Sequence, residues 1–413
     1  MKIFADSALS FISERPDSHL RESAWTSFLA TGLPTTTDEV WRYAPLNDLD
    51  LDHFDVTSEL HVTEDSPFAT QLCAKSGLVV RVVDGFFVAS AASVDGVRVQ
   101  SVQDGSTLAG GSAHERYEND SFAMLNLALA PATTVIDVAD GVDVDKPIVV
   151  LYATTGSSAF SRTHLRLGRS ASATVVEYFE GGAGALVGPL SEYEIGDNAS
   201  LRLVTYQRLD SSAWHVARTT GLLHRDSRLS QAVIGIGGHY DRSRNDAEML
   251  DVGGENELRT TFLGSGHQVH DFRTHQFHKG ARSRSTLLSK GAVADESRSV
   301  YTGLIEIEKG AKRTDARQTN HNLLLSPHAH ADSVPNLDIR ENDVMCAHAS
   351  SVGPLDELQR WYLESRGVTR PDAQRLMIQG FFNEMLTTLP GELAELVEHD
   401  VTSALSKLNV VAP

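Results

Sequence analysis

Cys346-Ala347-His348 is the pair of residues in this chain best suited to hold a metal. In extended backbone, residues two apart point to the same side, so a thiol and an imidazole would be neighbours. Both are ligands for iron or zinc. By itself, such a spacing also arises by coincidence. A second candidate is the series His267, His270, His275 and His278. No Cys or Glu completes a zinc pattern there, and strand alternation would send His275 and His278 to opposite faces. His321, His328 and His330 read as surface histidines at corners. The chain has only two cysteines, Cys73 and Cys346. Two thiols make no disulfide framework and fit a reducing compartment. An iron–sulfur cluster usually takes about four thiolates. The chain therefore binds no cluster, or it shares one with a partner.

Other chemistries leave no trace. There is no phosphate loop of the Gly-x4-Gly-Lys-Ser/Thr type and no Gly-x-Ser-x-Gly elbow. Gly235-Ile236-Gly237-Gly238 follows a strand-like run, but no dinucleotide fingerprint completes it. A net charge of −19 argues against nucleic acid as a partner. No apolar run reaches the roughly 18 residues of a membrane span. The first residues, Met1 to Asp6, resemble neither a secretory signal nor a transit stretch, which points to a cytoplasmic protein.

The elements that must position these residues change in character along the chain. Arg21 to Ala30 reads as a helix with Trp25, Phe28 and Leu29 on one face, ended by Gly32 and Pro34. Trp41 and Tyr43 read as core anchors. Strand-like runs follow at Gly77–Val83 and Gly85–Val88, with Asp84-Gly85 as a hairpin signal. Ser121 to Ala130 reads as a helix. From about 148 to 350 the chain is almost entirely short β segments. Small polar corners separate them, such as Gly196-Asp197-Asn198-Ala199, His224-Arg225-Asp226-Ser227 and Gly253-Gly254-Glu255-Asn256. Many short strands and no crossover helices suggest a solenoid or a sandwich. After Gly353, Leu355, Leu358, Trp361, Tyr362 and Leu363 recur at helical spacing. Thr369 and Pro371 then open a helix carrying Ala373, Leu376, Met377, Phe381, Met385 and Leu386. Pro390-Gly391 breaks it. Leu393, Leu396, Val397, Val401, Leu405 and Leu408 form a last stripe.

One ordered string is far more specific than any of these signals. It runs Gln318-x-Asn320-x-Asn322-Leu323-Leu324-Leu325-Ser326, Pro335-x-Leu337-x-Ile339, Asp343-Val344-x-Cys346-x-His348, Val352-Gly353 and Tyr362-Leu363-x-Ser365-Arg366-Gly367. It resembles the core of the SufB/SufD family, scaffold subunits of the SUF iron–sulfur cluster assembly machine. Glu39-Val40-Trp41-Arg42-Tyr43 is similar to a second segment of that family. There is no Cys between Gln318 and Pro335, and Cys346-Ala347-His348 stands where the SufB branch carries Glu-His-Glu-Ala-Thr. The chain therefore resembles the SufD branch. One departure is Ala349, where the family usually has Gly after the His.

The resemblance implies a mainly β fold, a right-handed parallel β-helix core flanked by N-terminal and C-terminal helical regions. The expected units are an N-terminal α/β region over 1–147, the β-helix core over 148–353 and a helical domain over 354–413. It implies a non-catalytic scaffold subunit that pairs with a SufB-like subunit and binds a SufC-like ATPase. It also implies that His348, with Cys346 beside it, faces the SufB interface at a shared iron or nascent Fe–S site, with no cofactor held in isolation. Two other readings stay open: a SufB-like scaffold acting alone as a homodimer, and a β-helix enzyme acting on polysaccharide.

Overall fold

The computed structural model describes residues 1–103, 116–117, 119–386, 389 and 391–406. Pro390, Leu408 and the side chain of Leu386 lie outside the described set. The β region is a solenoid of about 8 turns, in which successive strands alternate between two sheets. In sheet 1, Ser172 pairs with Ser200, Ser200 with Arg228 and Arg228 with Glu255, all parallel. In sheet 2, Leu190 pairs with Arg218, Arg218 with Arg244 and Arg244 with Arg273. Paired residues on these neighbouring turns are 26 to 29 positions apart, from Arg218–Arg244 to Arg244–Arg273. Later corners are longer, since Arg284 pairs with Asp315. Unequal corners explain why no clean period shows in the sequence.

One line of corners repeats a left-handed backbone residue at Ser170, Asn198, Asp226, Arg282 and Arg313. Each donates its N–H to a carbonyl of the following turn, Asn198 to Arg225 and Asp226 to Val252, for example. Asn and Asp tolerate this conformation because their short side chains bond locally.

Sheet 1 starts with the expected hairpin, Leu78–Val83 antiparallel to Phe86–Ala91 across Asp84-Gly85. Both turn residues have positive φ, 50° and 89°, which suits the tight turn that joins twisted strands. Sheet 2 starts with Val97–Val102 antiparallel to Thr133–Val138. The inner faces of the early turns are apolar, with Ile136, Leu165, Leu167, Val175, Leu201 and Leu203 in one cluster. Burying each such side chain stabilises the fold by about 1.5–3 kcal/mol. Later turns mix amides and hydroxyls with apolar residues such as Leu258, Phe262, Phe272 and Leu287. Gln231, Asn256 and Gln276 form a buried hydrogen-bonded chain there.

The helix Ser18–Thr31 ends at Gly32 as expected, but its buried face is Arg21, Ala24, Trp25 and Phe28. Leu29 is exposed. The inward stripe is set by Arg21, which donates to Asp17 and to the carbonyls of Ala128 and Ala130. A fully satisfied buried arginine reads as a surface residue in sequence, and that shifted the expected face. Ser121–Leu129 is helical, capped by Asp120. Trp41 is buried and Tyr43 half-buried.

At the other end, Arg370–Leu386 and Gly391–Ser406 fold back over the outer face of sheet 1. Ile378, Phe382, Leu393, Val397, Val401 and Leu405 join one cluster with Val149, Tyr178 and Tyr206. Asp400 accepts from Tyr206 and pairs with Arg208, and Lys290 pairs with Glu384. Leu376, expected inside, is exposed. The short helix Glu357–Ser365 buries none of its residues. Leu358 is 77% exposed, Trp361 65% and Tyr362 55%, so its apolar stripe faces away from the core.

Candidate functional site

The last strand of each sheet is an edge. His330–Ile339 ends sheet 2 and Val344–Gly353 ends sheet 1. Within sheet 1, Ala316, Gln318, Asn320 and Asn322 are buried inner-face residues. Their partners on the edge strand are Cys346, His348, Ser350 and Val352. Paired residues share a face, so Cys346 and His348 sit side by side over the mouth of the lumen. This is the placement that alternation in the sequence called for. The facing edge supplies Ser333, Pro335, Leu337 and Ile339, and Ser350 donates to Ser333 across the mouth at 2.7 Å. Among the described residues, no further turn covers these side chains. His348 is exposed and Cys346 half-buried.

The layer beneath the mouth is apolar on the sheet 2 side, at Ile305 and Ile307, and polar and incompletely satisfied on the sheet 1 side. Both side-chain amide atoms of Gln318, Nδ2 of Asn320 and Oδ1 of Asn322 are buried without a hydrogen-bond partner. Orphaned buried polar atoms are rare and call for a reason. Burial, and then the charge of Asp315, push the Cys346 thiol above its ordinary range. A free thiol here is therefore a poor nucleophile, and a cation would be needed to draw off its proton. Two donors, one sulfur and one imidazole, are too few to close a metal site, but they suit a site that is shared. Ala349 lies in regular strand opposite Thr319 and has no positive φ, so losing the family Gly leaves the backbone intact.

The other histidines are scattered. His267 is on an exposed corner. His275 is on the outer face against Glu306 at 3.0 Å, and His278 is inside between Ser283 and Ser285. His275 and His278 thus take opposite faces, as alternation required. His270 is buried and shares Asp241 with His215. His321 is not at a corner. It lies within Thr314–Leu324 and bonds Ser351 at 2.6 Å. Among the described residues, one group of three metal-type ligands comes together: Asp197, His224 and Asp251, with ligand atoms within 4.8 Å. They stack on successive corners, and His224 already bonds Asp251. Gly235-Ile236-Gly237-Gly238 is a corner held by the Gln207 side chain. It is no nucleotide loop.

Residues 150–381 match the family model described as SUF system FeS cluster assembly, SufBD core domain. The chain belongs to this SufB/SufD family. It is 29% identical over 401 residues to "Iron-sulfur cluster assembly protein SufD" of Escherichia coli (strain K12), covering 92% of this chain and 90% of that one. It is 30% identical over 284 residues to the protein of the same name from Bacillus subtilis (strain 168), covering 67% of this chain and 65% of that one. An "Iron-sulfur cluster assembly SufBD family protein" of Mycobacterium tuberculosis (strain ATCC 25618 / H37Rv) is 26% identical over 395 residues, 92% of each chain. The SufD branch suggested by Cys346-Ala347-His348 is the branch that the names of the first two relatives carry.

Within this SufD-like chain, sequence reading missed the orphaned amide layer under His348. The Gln318-x-Asn320-x-Asn322 alternation was the available signal, since amides every second residue on a strand share one face.

Proposed function

We propose that this chain is a non-catalytic subunit of a SUF assembly scaffold. It pairs with a SufB-like subunit through the open mouth of its solenoid and carries a SufC-like ATPase on its C-terminal helices. The observation that carries this reading is the mouth itself. It combines an unpaired strand edge, exposed Leu337, Ile339 and Val352, and two metal-type donors above unsatisfied amides. An edge strand offers a row of free N–H and C=O groups, which a partner strand satisfies. Closing the mouth against a partner would place His348 and Cys346 at the joint.

There, His348 would act as a ligand to iron of the nascent cluster, the cargo of the machine. Imidazole replaces thiolate in known mixed clusters. The partner would provide the dominant thiolate, because two donors from this chain leave a coordination sphere open. The helix Glu357–Ser365, with Trp361 and Tyr362 free, is the natural seat for the ATPase, since exposed aromatics anchor interfaces.

The decisive experiment measures assembly and iron–sulfur content on the same variant. His348→Ala should leave folding and complex formation unchanged and sharply reduce cluster content. Cys346→Ser should reduce it less. Full cluster content in His348→Ala would end the ligand role. A loss of cluster that only tracks a loss of complex would make His348 a packing residue at the joint.

A further inference from the structure

The outer face of sheet 2 holds a groove that the scaffold reading does not use. Its volume is about 360 Å³. The floor is built from residues in strict register on successive turns. Arg218 pairs with Arg244, Arg244 with Arg273 and Arg273 with Thr302. Beside that column, Asp246 pairs with His275 and His275 with Leu304. The segment Glu39–Tyr43 forms one wall, and Val334 and Asn336 of the edge strand form the far end.

Three arginines on adjacent turns lie about 4.8 Å apart at the backbone, and like charges directly opposite destabilise a sheet. Carboxylates relieve part of this. Asp246 accepts from Arg218 and from Arg244, and Asp271 accepts from Arg242 and Tyr240. Burial would raise Asp246, but Arg244 and Arg218 bring it down to about 2, so it is fully ionised and fully engaged. Arg242 is also committed, to the Val40 carbonyl and to the face of Trp41 at 3.6 Å.

Arg273 is different. Its side chain is 8% exposed, and its Nε lies 3.2 Å from Asp271 without a hydrogen bond. Among the described residues, no hydrogen bond is made by its guanidinium, although it lines the groove. Asp271 gives Arg273 an ion-pair partner, but Nε stays buried without a hydrogen bond, which is costly because a desolvated donor loses its bond to water. An arginine fork fits an oxyanion in two parallel bonds. Arg42, exposed at the rim, adds a second cation. Val40, Tyr43, Leu304 and Val334 give the remaining wall an apolar character suited to an organic body.

We propose that this groove binds a small organic oxyanion, with a phosphate or carboxylate head on Arg273 and its body against Tyr43 and Leu304. The whole chain carries a net charge of −19, and Glu39, Asp246 and Asp271 stand among the arginines, so the groove is not a general polyanion surface.

Calorimetric titration of the full chain at low salt with AMP, with citrate and with inorganic pyrophosphate tests this. Saturable binding of at least one probe, at one per chain, is expected. AMP against citrate tells a phosphate head from a carboxylate head. Arg273→Gln should weaken binding roughly tenfold or more, the scale of a lost charge-assisted bond. Raising the salt should weaken it too. Because Arg273 is buried, Asn336→Glu serves as the variant that is safe for folding. It adds a negative charge at the exposed far end and should also abolish binding. Arg228→Gln, on the other sheet, should change nothing. No saturable heat with any probe, or equal heats in wild type, Arg273→Gln and Asn336→Glu, would reduce the arginines to a structural ion network and overturn the proposal.

Discussion

The two ends of the solenoid are built to opposite rules. The N-terminal end finishes both sheets with short antiparallel strands, Phe86–Ala91 and Val97–Val102, over an apolar lumen. The C-terminal end stops both sheets at ten-residue strands in full parallel register, over a lumen that joins amides on sheet 1 to Ile305 and Ile307 on sheet 2. Soluble proteins usually blunt such edges with short strands, charge, bulges or a covering element. The difference teaches that the first end is finished by the chain itself, while the second is left for another chain to complete.

Stability should therefore be concentrated at the closed end. Leu165→Ala opens a cavity in the apolar lumen and should cost about 2–5 kcal/mol in denaturant unfolding. Val352→Ala at the mouth should stay within about 0.5 kcal/mol in the isolated chain. Equal losses would erase the contrast.

Pairing should depend on the other end. Ile339→Asp with Val352→Asp puts unpaired charge where the partner would seat, and should weaken assembly with a SufB-like subunit by about 3 kcal/mol. The melting temperature of the isolated chain should hold. Pull-down at unchanged affinity would move the interface elsewhere.

The helix after the open end gives a third test. Trp361→Ala with Tyr362→Ala should lower ATPase affinity by about 2 kcal/mol, the scale of an aromatic hot spot. Substitution is cleaner than truncation here, since the two helices that follow are packed on sheet 1. Retained affinity would assign the ATPase to another surface.

A fourth test is a pH dependence at the closed half. Glu192 is fully buried near Arg116, whose Nε is 3.7 Å away. Burial, only partly offset by Arg116, raises its carboxyl from an ordinary 4.5 to about 7. The folded state then holds a proton that the unfolded state has lost. This contribution is fully present below about 4.5 and fades as pH rises through 7, by at most about 1.4 kcal/mol per pH unit. Glu192→Gln should flatten that part of the stability profile.

Much of this was legible in the chain. Alternation announced the strands, Asp84-Gly85 announced the hairpin, and two-residue spacing placed Cys346 and His348 on one face. The ordered string from Gln318 to Gly367 pointed to the family. What stayed hidden depends on register between turns. Arg218, Arg244 and Arg273 look unrelated until corners of unequal length stack them in one column. The burial of Arg21 and the exposure of the stripe of Leu358, Trp361 and Tyr362 stayed hidden for another reason. Periodicity reports that a face is apolar or polar, and it does not report what covers that face.

The helix Gly391–Ser406 rests on strands made long before it, through Val149, Tyr178 and Tyr206, and Tyr206 donates to Asp400 of the helix. During synthesis the chain leaves the ribosome N-terminus first. The turns can stack one upon another as they emerge, each templated by its predecessor. Their outer apolar flank must nevertheless wait, bare, until this helix is released and closes over it like a clasp. A chain stalled before this helix would keep that flank open. Synthesis of the helix would thus be recorded in the fold itself, readable as the loss of dye binding once it docks.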